Sequence, residues 1–134
     1  MAETLLHKGE VDKAIELLHE ALHLNPNVQY SRLFLAMCLI GKGETEQARQ
    51  LLDEKAIAFA EADGDGAYWL GSVYAMLGEK EEAIEWLQRA IRIGYENYPW
   101  FEADANLNSL RQESRFQKIL NGLQMRWERL QQKA

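Results

Sequence analysis

The chain has 134 residues, 47% of them hydrophobic and 27% charged, with a net charge of −6 and one cysteine. That is enough apolar material for one continuous core, and it excludes both a disordered polypeptide and an internal disulfide framework. Residues 1–66 hold twelve acidic and six basic side chains, so the chain lacks the broad basic footprint that duplex nucleic acid requires.

The first element group covers residues 1–28. It enters at Met1-Ala2 and Leu5, turns at Gly9-Glu10, and continues as a helix with Ala14, Ile15, Leu18, Ala21 and Leu22 on one stripe. Asn25-Pro26 ends that helix, because proline has no amide hydrogen to give to the preceding turn. This unit begins halfway along its first helix, so either the chain is a piece of a longer array or something else covers that end. Within it, His19-Glu20-Ala21-Leu22-His23 has the spacing of a helical zinc-hydrolase motif, with two histidines on one face and a glutamate as base. Its alanine and leucine are packing positions of the stripe, and no third histidine follows. A solvated face is therefore the expected role, and a metal-dependent hydrolase is only the remote alternative.

Residues 29–63 form the second group. The run 33–40, Leu-Phe-Leu-Ala-Met-Cys-Leu-Ile, is apolar all round, and Gly43 stops it. Cys38 lies inside this run and reads as a small buried hydrophobe. A second helix carries Ala48, Leu51 and Leu52 and is expected to run on through residues 56–60. The third group, 64–94, is the cleanest: residues 67–77 make an apolar helix, Gly78 stops it, and an amphipathic helix follows with Ala83, Ile84, Leu87, Ala90 and Ile91 on its buried stripe. Gly71 and Ala83 are small because two helices joined by so short a turn approach closely.

The tail, 95–134, does not repeat the pattern. Pro99 suits the first turn of a short helix, and Ser114 with Gln117 suits a capping box at the start of a last helix. Phe116, Ile119, Leu120, Leu123, Trp127 and Leu130 fall on one stripe of that helix. Stacked arrays need an end cap with a polar outer face, and this segment fits.

Gly9, Gly43 and Gly78 are spaced by 34 and 35 residues, each with an alanine five residues later (Ala14, Ala48, Ala83) and a small residue ahead (Ala2, Ala36, Gly71). On these positions, with Leu35, Leu39, Leu52, Leu70, Tyr74, Leu87, Ala90 and Pro26, the chain resembles the tetratricopeptide repeat family over residues 1–94. Arg32 and Ala67 stand where the family usually has tryptophan, and Lys55 stands where the other units have Ala21 and Ala90. The resemblance implies an all-α, right-handed superhelix of helical hairpins closed by a C-terminal capping helix. It implies a non-enzymatic scaffold or adaptor that binds a protein or peptide, with no cofactor, no metal and no catalytic residue. The tail also resembles segments that close such arrays in multidomain bacterial signalling proteins, through Gly94, Tyr95, Asn97, Pro99 and Phe101 and through Leu110, Arg111, Arg115 and Phe116. This suggests, as an alternative, a regulatory segment of a larger protein.

After the packing positions are assigned, Tyr30, Leu33, Phe34 and Met37 and then Tyr68, Trp69, Ser72 and Met76 remain as expected residues of an apolar concave groove. Such a surface hosts a peptide or an amphipathic helix. Two other occupants stay open: the tail, through Tyr98, Trp100 and Phe101, or a second copy of the chain. The face has no lysine or arginine to clamp a carboxylate, so acidic chaperone tails, a ligand class known in the family, are disfavoured there. Neither nucleic acid nor membrane is an expected partner: the N-terminus lacks a secretory signal and no apolar run approaches the roughly 20 residues of a membrane span, so the expected setting is cytoplasmic.

Overall fold

The computed structural model of the chain describes residues 8–133, and every regular element among them is helical. The elements are α1 (Lys8–Leu24), α2 (Gln29–Lys42), α3 (Thr45–Gln50), α4 (Glu54–Ala62), α5 (Gly64–Met76), α6 (Lys80–Ile93), α7 (Tyr98–Ala103), a 3-10 turn (Ala105–Leu110) and α8 (Ser114–Lys133). Met1, Ala2 and Leu5, the expected opening of the first unit, lie outside the described residues. The chain divides into two compact units between Phe59 and Ala60.

In the first unit, α2 packs against α1 on one side and α3 on the other. Leu33, Leu35, Ala36 and Leu39 of α2 are buried, as is Ala48 of α3. The turn between α2 and α3 needs its glycine. Gly43 has φ 93°, and the Glu44 amide reaches back to the Leu39 carbonyl at 2.8 Å, closing the helix end as an L side chain rarely can. The same arrangement recurs in the second unit, where Gly78 has φ 81° and Glu79 N–H donates to the Tyr74 carbonyl at 2.9 Å.

The second helix of the 29–63 unit does not run on as expected. It stops at Gln50, and a new helix starts at Glu54. Arg32, the residue in the usual tryptophan slot, explains the break. Its Nη2 donates to the Leu51 carbonyl at 3.1 Å and to Asp53 Oδ2 at 2.7 Å. The other Asp53 oxygen accepts from the Ala56 amide at 3.0 Å and so caps α4. Carbonyl and amide groups released by the interruption thus find partners in one cluster. Lys55 is exposed and Ala56 is fully buried, so the buried small residue has moved along by one position. That shift takes up the extra residue of the 35-residue step.

In the second unit α5 and α6 form the central hairpin, and the 3-10 turn packs on α5 while α7 and α6 contact α8. Asp63 caps α5 by accepting from the Gly66 amide at 2.8 Å. Asn97 caps α7, with Pro99 in its first turn as expected. One core runs through Ala67, Tyr68, Ala83, Leu87, Phe101, Leu107, Phe116 and Leu123, joining hairpin and tail. The tail is fastened by polar bonds too: Ser109 Oγ donates to the Ala75 carbonyl at 2.7 Å, and Arg111 donates to the carbonyls of Phe101 and Asp104 at 3.2 and 2.8 Å. The expected capping box at Ser114 does not form. Ser114 is already the first residue of α8, and the Gln117 side chain donates to the Arg111 carbonyl at 3.0 Å instead.

Candidate functional site

The expected groove residues divide by unit. On α2, Tyr30 and Met37 are half-buried, Leu33 is buried and Phe34 is 36% exposed. Tyr30 stacks on Phe34 at 6.4 Å between ring centroids, one helical turn away, and meets the edge of Phe59 at 5.0 Å. The face is therefore a short aromatic ridge with methionine beside it, and Leu33 belongs to the core beneath.

On α5 the tail has taken half of the expected face. Tyr68 is wholly buried: its ring lies 4.7 Å from that of Tyr95 and 4.9 Å from that of Phe101, and its hydroxyl donates to Asp104 Oδ2. Ser72 is also wholly buried, and its hydroxyl donates to the Tyr68 carbonyl at 3.1 Å, a local bond that satisfies the group within its own helix. Leu33, Tyr68 and Ser72 are thus packing residues and not part of an accessible surface. Trp69 and Met76 are half-buried, and Trp69 meets the edge of Trp100 at 6.2 Å. Trp100 itself is 44% exposed. Covering of α5 falls to Tyr95, Phe101 and Trp100. Tyr98, expected among them, donates its hydroxyl to Glu102 on its own helix.

Sequence reasoning missed Asp104, and it met Arg111 only as part of the tail's resemblance and not as one of the residues that hold the cover in place. A lone aspartate in an irregular segment carries no periodic signal; only the aromatic cluster to which it is tied could have pointed to it. Burial, reinforced by the hydrogen bond to the Asp104 carboxylate, pushes the Tyr68 phenol well above the ordinary tyrosine range, and burial also raises Tyr95. The neutral phenol is the form the fold favours, so its contribution is complete below the unfolded pKa of about 10 and is lost as pH rises beyond it. Chemical denaturation in steps across that alkaline range should show stability falling, and Tyr68→Phe should flatten the fall. An unchanged slope in Tyr68→Phe would assign the effect to other groups.

His19, Glu20 and His23 are exposed on α1 and line, with Leu24, a shallow depression of about 510 Å³. Among the described residues no three histidine, cysteine, aspartate or glutamate side chains come together as metal ligands. No helix among the described residues is long and apolar enough to cross a membrane.

The fold and this surface define a class: an all-α protein built from short-turned helical hairpins, with an aromatic ridge partly exposed on α2. Two family models, both described as tetratricopeptide repeat, match residues 5–54 and 39–99. The chain belongs to the tetratricopeptide repeat family, whose repeats are protein–protein interaction modules and whose members are typically non-enzymatic. It is 30% identical over 97 residues to the mouse (Mus musculus) "Interferon-induced protein with tetratricopeptide repeats 3". That match covers 72% of this chain and 24% of the relative, so the chain spans about a quarter of the length of that protein. No solved structure matches the chain.

Proposed function

We propose that this chain is a scaffold or adaptor module that docks a peptide segment or an amphipathic helix through apolar anchors, with the Tyr30, Phe34 and Met37 ridge of α2 as the contact. The observation that carries the reading is Phe34, a large apolar side chain left 36% exposed on a helix whose residues 33–40 include no charge. Tyr30 stiffens the ridge by stacking, and Met37 supplies an adaptable neighbour. With 36% of the ring left exposed, completing its burial is worth about 0.5–1 kcal/mol, a modest anchor that Tyr30 and Met37 extend. In the second unit Trp69 and Trp100, which meet edge to ring, offer a further apolar surface of the same chemical kind. The proposed setting is cytoplasmic, in keeping with a single half-buried cysteine whose thiol burial holds in the protonated, unreactive form.

Peptides selected by display on the purified protein provide the ligand for a test. Phe34→Ala is expected to weaken their binding about two- to fivefold while costing clearly less stability than the about 3–5 kcal/mol of a fully buried phenylalanine. Unchanged affinity in that variant would sink the reading, and a stability loss comparable to a core truncation would place Phe34 among the packing residues.

A further inference from the structure

We infer that the groove between α6 and α8 is a second docking surface, fitted to an acidic peptide segment that carries an apolar side chain. The groove encloses about 390 Å³ and lies wholly within the second unit. Its floor is aliphatic: Ile91 and Ile119, both half-buried. Its rim is cationic from both helices, with Arg92 on one side and Lys118 and Arg126 on the other, all exposed, and no carboxylate lines it. Arg92 and Lys118 have no ion-pair partner among the described residues. Arg126 meets Glu96 at 3.1 Å, but both side chains are about half exposed, so the pair is weak and open to exchange for an incoming carboxylate.

Gly122 is the second, independent observation. It sits inside the 20-residue α8 and lines the groove, yet a Cβ built there would meet nothing within 4 Å. Packing does not require a glycine at this position, and helix propensity opposes one. Without a side chain there, the backbone of α8 is bare along the groove and the space over it is open to a group from outside. A cationic rim around an aliphatic floor matches an acidic segment with one apolar side chain. Single-stranded nucleic acid would ask for aromatic platforms beneath its bases, and this floor has none. The chain as a whole is acidic, which also disfavours polyanions much larger than the groove.

The probe is a fluorescein-labelled Glu-Glu-Leu-Glu-Glu peptide, followed by anisotropy as the full chain is titrated in. Saturable binding is expected, weakening as salt shortens the screening length. Arg92→Glu combined with Lys118→Glu should reduce affinity at least tenfold. Gly122→Leu, which puts a bulky side chain into the open groove, should abolish binding while leaving the melting temperature equal or higher, a combination that mere unfolding does not produce. Replacing the probe's leucine by glycine should weaken it at least threefold, and a Lys-Lys-Leu-Lys-Lys peptide should not bind. Phe34→Ala, in the other unit, should leave this probe unaffected, which keeps the test separate from that of the α2 ridge. The inference is overturned if the probe does not saturate or if the charge-reversal and Gly122→Leu variants bind it as the wild type does. It is also overturned if an RNA oligonucleotide or phosphatidylserine vesicles bind more tightly with the same variant sensitivity.

Discussion

Phe101→Ala is expected to destabilise the second unit by about 3–5 kcal/mol, the range for truncating a fully buried phenylalanine. The ring is wholly enclosed and meets Tyr68 edge-on at 4.9 Å and Tyr95 at 5.9 Å, so its loss opens a cavity against two further aromatics. The effect should spread. Helix α7 has six residues, too few to persist without tertiary support, and it carries the chain to Asp104, the partner of the Tyr68 hydroxyl. Urea unfolding followed by far-ultraviolet circular dichroism measures the loss, and the emission of Trp100 reports whether α7 has left the surface. Trp100→Ala is the matched control: that side chain is 44% exposed, and its removal should cost under about 1 kcal/mol. If Phe101→Ala cost as little, the tail would not share the cooperative core of the α5–α6 hairpin.

Gly71→Val is the second large effect. A Cβ at Gly71 would lie 3.0 Å from Leu87 Cδ2, 3.1 Å from Leu87 Cγ and 3.2 Å from the Ala83 carbonyl oxygen. The leucine can yield by a few tenths of an ångström, but the carbonyl belongs to the backbone of α6 and can move only with that helix. Alanine at this position sets an overpacking cost of about 1–3 kcal/mol against a helix-propensity gain of about 1 kcal/mol, for a small net loss. Valine adds two methyl groups to the same crossing and gains little propensity, so a loss of about 3 kcal/mol or more is expected from thermal or urea unfolding. Gly122→Ala supplies the contrast, with open space around its Cβ and an expected gain of up to about 1 kcal/mol. Equal effects at the two glycines would show that helix propensity, and not the α5–α6 approach, governs both.

These two residues also mark what the sequence makes legible. Gly71, Ala83, Gly43 and Gly78 are set by geometry that repeats, close helix approach in one pair and a left-handed turn in the other, so periodicity alone finds them and the family with them. The break between α3 and α4 escapes that reading because it depends on Arg32 reaching a carbonyl and a carboxylate 19 and 21 residues away. The surface was harder still. Helix α5 is apolar all round, and nothing local says which of its faces the tail will cover. Phe101 and Asp104 decide that Tyr68 and Ser72 are interior, whereas Phe34 on α2 keeps part of its ring in solvent. The α6–α8 groove leaves no pattern in the sequence, since its shape requires two helices distant in sequence to lie side by side.

The interruption at residues 51–53 has a consequence for how such a chain can vary. In a continuous helix, one inserted residue turns everything beyond it by about 100°, which would swing a buried stripe out to water. Here the surplus residue is absorbed where the helix is already cut and recapped, and Ala56 and Ala60 still face inward beyond it. The Arg32–Asp53 clasp therefore works as an expansion joint: the chain can gain a residue at that point without changing which side of the next helix is interior.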